Sequence, residues 1–200
     1  MAVLLQGVFS GPKHISNVII KSTPLIISGI GVAFAFQTGL FNIGAEGQYI
    51  MGCIASTVTG ILLDLPPVIE IPLIIAAGIL AGALFGGIVG FLKAKFGIHE
   101  VLTSIMLNWI ALYLQNYICD LKRFHKPETM GTYPINKSGY TMVLGSWKAT
   151  TEGKERLLSS RFLTDTLLKT DVNVGIIAAV ILAVVISFLL NRTTKGFEQK

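Results

Sequence analysis

The chain has 200 residues and a net charge of +5, with 16 Lys and Arg against 11 Asp and Glu. More than half of it is hydrophobic, 52%, and the mean hydropathy is +0.68, which is too apolar for an ordinary soluble domain. Four long stretches, 24–63, 71–92, 101–118 and 172–190, together contain a single charged residue, Glu46. A soluble enzyme, a DNA-binding protein and a disordered tail are therefore excluded.

The first apolar run, residues 24–63, is too long to be one membrane helix. A hydrocarbon core of about 30 Å takes roughly 20 helical residues. The run therefore predicts two helices, about 24–41 and 42–63, with the chain reversing in the turn-rich stretch 41–48. Residues 49–63 alone fall short of a full span. Either the second helix begins inside 41–48 and buries Glu46, or this stretch is a broken, partly unwound segment.

Polar groups make residues 41–48 a candidate functional site. An ionisable residue inside an apolar run usually faces a cavity or a polar partner, which singles out Glu46. Together with Asn42, Gln48 and the flexible glycines beside them, it would suit a bend that lines a water-filled path or gate. The alternative is that Glu46 lies in a cytoplasmic turn in contact with solvent.

The three later runs predict one helix each, at 71–92, 101–118 and 172–190. Asn108, in the middle of the fourth helix, either makes an interhelical hydrogen bond or lines a substrate path. Small residues recur at every fourth position in the second and third helices and predict close helix packing, either static or as a surface that slides during transport. They are Gly52, Ser56 and Gly60 in the second helix and Gly78, Gly82, Gly86 and Gly90 in the third.

The orientation follows from the short loops, because Lys and Arg favour the cytoplasmic side. Lys93 and Lys95 place the loop after the third helix inside, and the loop at 64–70, which has no Lys or Arg, lies outside. Residues 41–48 then fall in the cytoplasmic half and the long basic loop 119–171 is extracytoplasmic. We interpret the charge of that loop as a surface facing solvent or lipid headgroups, not nucleic acid.

Catalytic patterns are missing from the sequence. His99 is not followed by the second histidine of a zinc-protease helix, and Gly153-Lys154 lacks the rest of a phosphate-binding loop. We therefore expect neither an enzyme nor a cofactor or metal site on this chain. Energised transport would require ATP on a partner chain.

Two stretches carry a resemblance to a known family. Residues 24–52, PLIISGIGVAFAFQTGLFNIGAEGQYIMG, resemble the signature of permease subunits of ATP-binding-cassette importers of the ribose and branched-chain amino acid type. The core GLFNIGAEGQ, residues 39–48, is most similar to the nucleoside-uptake branch. Residues 82–117 are similar to the same branch, which has a Thr-x-x-Met-Leu-Asn pattern like the one ending at Asn108. The resemblance covers residues 10–118 well and 172–196 loosely.

The resemblance implies an all-α, polytopic helical bundle in the bacterial cytoplasmic (inner) membrane, moving nucleosides or related simple-sugar solutes. Residues 1–118 would form four of about five transmembrane helices, 119–171 the extracytoplasmic loop, and 172–200 the fifth helix and cytoplasmic end. The implied partners are two ATP-binding-cassette ATPase domains, a second permease subunit, an extracytoplasmic solute-binding lipoprotein and the lipid bilayer. Asn42, Glu46, Gln48 and Asn108 are the residues expected at the pathway or its gate.

Similar permeases are longer at both ends, and their ATPase-contacting coupling segment follows a Thr-x-x-Gly step. Here that step, residues 193–196, is followed by only four residues. We therefore expect a fragment, a truncated gene product or one piece of a split permease. The competing hypothesis is a non-transporting membrane scaffold or a degenerate permease remnant.

Overall fold

The computed structural model describes residues 6–7, 9–37, 39–129, 131–139, 150–160, 164–168 and 175–192. Within them the chain is helical, with one isolated antiparallel bridge between His125 and Thr132, and the predicted all-α fold class is confirmed. The elements are α1 (Pro12–Gln37), α2 (Ala45–Leu62), α3 (Pro67–Phe96), α4 (Glu100–Asp120), a 3-10 turn (Lys137–Gly139), α5 (Thr151–Leu158), a π-helical turn (Thr164–Leu168) and α6 (Gly175–Arg192).

The helices differ from the apolar runs mainly at their ends. α1 begins at Pro12 and ends at Gln37, and α3 extends beyond the run 71–92 at both ends. An apolar run shows only which residues are compatible with lipid. The helix itself can continue into polar residues until a capping residue ends it, so the two sets of bounds differ. For α3 the start is Pro67, a residue pre-set for the first helical position. Its end is Gly97, whose positive φ of 65° lets its N–H reach the last carbonyls of the helix.

In the described part of the chain, two helices are long and apolar enough to cross a bilayer on their own. α1 and α3 have 26 and 30 residues; the mean hydropathy of an 18-residue stretch is 1.8 in α1 and 2.3 in α3, and 6% of each stretch is buried inside the protein. Such apolar, uncovered surface suits contact with lipid. The apolar part of α6, Gly175–Phe188, is shorter. The predicted start of the fifth helix at 172 and the Thr-x-x-Gly step at 193–196 lie outside the described residues.

The chain divides into two compact units. One spans residues 31–140 and contains the end of α1, all of α2, α3 and α4, and the 3-10 turn. In this unit α2 packs most extensively on α3 and also on α4, and the 3-10 turn packs on α3. The other unit spans residues 1–30 and 141–200, and in it α5 packs on the π-helical turn.

Small residues bring α2 and α3 together in the first of these units. A Cβ added at Gly52 would lie 3.2 Å from the carbonyl oxygen of Gly78, and one added at Gly78 would collide with the Ser56 hydroxyl. That hydroxyl donates a hydrogen bond to the carbonyl of Ile74, at 3.1 Å. The two backbones therefore approach closely along this seam, as small residues allow.

The rest of the small-residue pattern is less uniform. A Cβ at Gly82 would lie 3.3 Å from the carbonyl oxygen of Gln48, and one at Gly60 would lie 2.9 Å from Ile135 in the loop after α4. Gly90 has no described atom within 4 Å of the position its Cβ would take. The stripe on α3 therefore contacts α2 over only part of its length.

The end of the α2–α3 pair opposite residues 41–48 is closed by the loop that follows α4. Asn136 donates its backbone N–H to the carbonyl of Gly60, at 2.9 Å, and its side-chain amide to that of Leu63, at 2.8 Å. Glu70, in the first turn of α3, is fully buried there and accepts a bond from the Leu65 N–H at 3.2 Å. Its other oxygen, Oε1, has no partner among the described residues.

Candidate functional site

The signature segment, residues 41–48, connects α1 to α2. Gly39, with φ of 75°, follows the end of α1, and the chain is then non-helical up to Ala45, the first residue of α2. α2 therefore begins inside the signature segment, three residues later than position 42. Glu46 lies in its first turn and is exposed, with Gly47 buried beside it.

Asn42 stabilises the bend from within the segment. Its Oδ1 accepts a hydrogen bond from the backbone N–H of Gly44, at 3.0 Å, the short local bond by which Asn side chains commonly shape turns. The same oxygen accepts a longer bond from Nε2 of Gln48, at 3.4 Å. Asn42 thus joins the non-helical part of the segment to the first turn of α2.

Asn108 holds the segment from α4. Its Nδ2 donates to the carbonyl of Ile43, at 3.2 Å, and its Oδ1 accepts from the backbone N–H of Gly47, at 2.9 Å. The first N–H groups of a helix have no partner within that helix, and Asn108 supplies one for α2. One side chain therefore bonds both the end of the bend and the start of the next helix.

Two glycines allow this close approach. A Cβ at Gly47 would lie 2.7 Å from Oδ1 and 3.1 Å from Cα of Asn108, and a Cβ at Gly44 would lie 3.2 Å from the hydroxyl oxygen of Ser104. Ser104 is fully buried, and its hydroxyl has no hydrogen-bond partner among the described residues. A side chain at position 47 would therefore displace the Asn108 amide or the segment, and one at position 44 would require Ser104 to shift by a few tenths of an ångström.

Gln48 faces α3 and a small cavity. A Cβ at Gly86 would lie 2.9 Å from Nε2 of Gln48, so the glycine makes room for this amide. The cavity, of about 90 Å³, is lined by both ends of the signature segment and by α3 and α4. Its polar lining comes from the side chains of Asn42, Gln48 and Glu100.

Glu100 connects the segment to the turn between α3 and α4. Its carboxylate pairs with the Lys93 ammonium at 2.8 Å, and its side chain lines the same small cavity as Phe41 and Asn42. Glu100 lies between the apolar runs 71–92 and 101–118. The hydrogen bond from Lys93 is the main reason that the pKa of Glu100 falls to about 2. The carboxylate is therefore ionised throughout the physiological range.

Three of the four predicted site residues come together in this structure. Asn42 and Gln48 bond to each other, Asn108 bonds to the backbone beside them, and Glu46 lies exposed in the first turn of α2. Sequence reasoning missed Ser104 and Glu100. The signal was present, since both precede Asn108 at spacings of four residues and so share its helix face.

The chemistry of the site is that of hydrogen bonding. Amide groups offer hydrogen-bond donors and acceptors, and carboxylates offer acceptors. Solutes that carry hydroxyl groups or nucleobases can form hydrogen bonds with such groups. In the described part of the chain no three His, Cys, Asp or Glu side chains come close enough to hold a metal ion.

Comparison with known proteins identifies a family. The model of the "Branched-chain amino acid transport system / permease component" family matches residues 14–199. The guanosine ABC transporter permease protein NupP of Bacillus subtilis is 38% identical over 197 residues, covering 98% of this chain and 51% of the relative. The nucleoside ABC transporter permease protein NupB of Lactococcus lactis is 35% identical, covering 98% and 51%.

A relative with a different printed solute is also similar. The glucose ABC transporter permease protein TsgB13 of Haloferax volcanii is 32% identical, covering 92% of this chain and 46% of the relative. The chain thus spans about half the length of the relatives that it matches. No solved structure shows a significant match.

Proposed function

The chain belongs to the permease-component family of branched-chain amino acid transport systems, and from this membership we propose that it forms part of an importer for nucleosides. The family consists of transport subunits rather than enzymes, and its membrane nature agrees with the long apolar helices α1 and α3. The observation that carries the choice of solute is the similarity over 98% of the chain to relatives named for guanosine and nucleoside transport. Related simple-sugar solutes are the next class, since another relative is named for glucose.

The proposed machine has several chains. Two ATP-binding-cassette ATPase domains would bind and hydrolyse ATP on the cytoplasmic side of the bacterial inner membrane. A second permease subunit would complete the pathway, and an extracytoplasmic solute-binding lipoprotein would deliver the solute. Lys93 and Lys95, close to residues 41–48 in the predicted orientation, support placing the signature segment at the cytoplasmic end.

Within this proposal Asn42, Glu46, Gln48 and Asn108 lie at the pathway or its gate. Glu46 is the member whose side chain is exposed, so it is the one that would meet water or solute directly. The side-chain oxygens of Asn42 and Asn108 accept hydrogen bonds from backbone N–H groups of the segment, so these two residues would shape the gate instead of contacting solute. Gln48 would act from the wall of the small cavity.

Uptake of radiolabelled guanosine tests the solute class. Cells that lack the gene should lose uptake, and cells in which the full-length permease is restored should recover it. Excess unlabelled adenosine should compete and excess glucose should not. If glucose competed and adenosine did not, the solute would be assigned to the simple-sugar class instead. Loss of uptake with Glu46→Ala or Asn42→Ala is expected, and unchanged uptake in both would overturn the site.

Co-purification distinguishes a working permease from a scaffold or remnant. A tagged full-length permease, extracted in mild detergent, should bring down an ATP-binding-cassette ATPase whose activity rises when the solute-loaded binding protein is added. A protein that retains no ATPase under these conditions would support the non-transporting alternative.

A further inference from the structure

One face of α4 contacts the signature segment along three consecutive helical turns. Glu100, Ser104 and Asn108 are spaced four residues apart, so their side chains stack on the same side of the helix. Glu100 lines the small cavity together with Phe41 and Asn42, and Ser104 lies against Gly44. Asn108 completes the row at Ile43 and Gly47. The segment therefore runs alongside the first turns of α4.

The contacts on this face differ in kind from those on α3. Asn108 bonds the segment at two backbone groups, the Ile43 carbonyl and the Gly47 N–H. α3 meets the segment by packing: the Phe85 ring lies against Gly47, and the glycine positions 82 and 86 leave room for Gln48. Hydrogen bonds fix distance and direction, whereas packing against glycine permits sliding. The segment's side-chain hydrogen bonds to other helices therefore run to α4, while its contacts with α3 are packing contacts.

Backbone recognition leaves the side chains of the segment available. Asn108 bonds to an N–H and a C=O group of the backbone, and the Glu46 side chain is exposed one residue before the bonded Gly47. The position of Glu46 is therefore set by a bond that Glu46 itself does not make. The Lys93–Glu100 pair extends the connection to the end of α3 and the turn at 97–99.

We infer that Glu100, Ser104 and Asn108 are a positioning set that fixes the signature segment on α4, so that the segment and α4 move together and Glu46 is presented at a defined place. The inference deepens the proposed function and rests on it for the role of Glu46. The attachment itself is a property of the protein that can be measured without any solute.

A cysteine reporter measures the attachment. In the full-length permease with Cys53→Ser and Cys119→Ala, Ile43→Cys places a thiol on the segment, and its rate of reaction with N-ethylmaleimide is followed in native membranes. Adding Asn108→Ala removes two backbone hydrogen bonds, and we expect the rate to rise about tenfold. Asn116→Ala, an exposed amide two turns further along the same helix, is the matched control and should leave the rate unchanged.

A second reporter separates local release from general loosening. Lys95→Cys, at the exposed end of α3, should react at the same rate with and without Asn108→Ala. Should Asn108→Ala fail to accumulate, Ser104→Leu provides the test, because its added bulk must lift Gly44 off α4 and again raise the reaction rate at position 43, which is already 38% exposed in the unchanged protein. Equal rates at position 43 in all variants, or equal acceleration at both reporters, would overturn the positioning set.

Transport kinetics then connect the attachment to function. If Asn108 positions the segment without contacting solute, Asn108→Ala should lower the maximal uptake rate and leave the KM for guanosine unchanged. A raised KM with unchanged labelling at position 43 would make Asn108 a solute contact instead. A protein that transports no nucleoside in any form would contradict the proposed function, while the labelling result would still stand.

Discussion

Asn108 shows why a single amide in an apolar helix can matter. Its amide nitrogen donates to a carbonyl in the bend, and its amide oxygen accepts from an N–H in α2, so it joins two neighbouring elements. The sequence could predict that this amide seeks a partner, because a polar group in an apolar run must be satisfied. It could not indicate which partner, since the two bonded residues lie more than sixty positions away.

The Lys93–Glu100 pair predicts a pH dependence. The folded-state pKa of Glu100, about 2, lies below the ordinary value, so the pair's contribution is fully present above about pH 4.5 and is lost as the pH falls towards 2. The thermal midpoint of the purified protein should therefore drop more steeply between pH 5 and 3 than that of Glu100→Gln. Above about pH 5.5 the difference between the two should stay constant.

Lys93→Met is the control for this pH experiment. It removes the donor that is the main cause of the low pKa, so its profile should lose the same steep drop as the profile of Glu100→Gln. Identical slopes in the wild type and both variants would contradict the role assigned to this ion pair.

Gly47→Ala tests the contact between α2 and α4. The added methyl group would lie 2.7 Å from Oδ1 and 3.1 Å from Cα of Asn108, so either the amide turns away or the helices separate. We expect a loss of about 1–3 kcal/mol in unfolding free energy, measured by denaturant titration in detergent micelles. Gly31→Ala, where a Cβ meets no described atom within 4 Å, should not destabilise the protein. Equal effects of the two changes would refute the close contact.

At the scale of elements, apolar runs and caps account for different parts of each helix. The runs predicted where lipid-compatible helix lies, and the glycine and proline caps of α3 determine where it starts and stops. The sequence leaves two alternatives for the beginning of α2, because a helix start in a glycine-rich stretch depends on partners that periodicity does not reveal. Here the partner is the amide on α4.

The small-residue stripe of α3 divides into a packed and an open part. Gly78→Ala would collide with the Ser56 hydroxyl and displace its bond to Ile74, so we expect a loss of about 1–3 kcal/mol in unfolding free energy. Gly90→Ala has free space and gains helix propensity of about 0.5–1 kcal/mol, so it should be neutral or stabilising. Thermal unfolding of the two variants side by side measures the difference, and the reverse order would disprove the seam.

At the scale of the whole molecule, large exposed apolar side chains dominate the surface of α3 and α4. Leu84, Phe91, Trp109 and Tyr113 are each more than half exposed. The exposed apolar surface could be predicted from composition alone. The long apolar runs contain a single charged residue, so the chain has too few polar residues to cover their side chains. The hydrogen bonds between α4 and the signature segment could not be predicted from the sequence, because they depend on how the helices are aligned along one another.

Thiol labelling of intact cells tests the predicted orientation. In the background without native cysteines, Asp64→Cys should react with a membrane-impermeant maleimide from outside, because the loop before α3 has no Lys or Arg. Lys95→Cys should react only after the membrane is permeabilised. Labelling in the opposite order would invert the topology and place the signature segment at the outer face.

The bond between Gly47 and Asn108 also constrains how this protein can change over generations. A side chain at position 47 is unfavourable while position 108 carries its amide, because an added Cβ would lie 2.7 Å from the Asn108 oxygen that accepts the Gly47 N–H. A mutation at either site removes the reason for keeping the other. Among homologous proteins, we therefore expect the two positions to co-vary: glycine at 47 and asparagine at 108 should be present together or absent together.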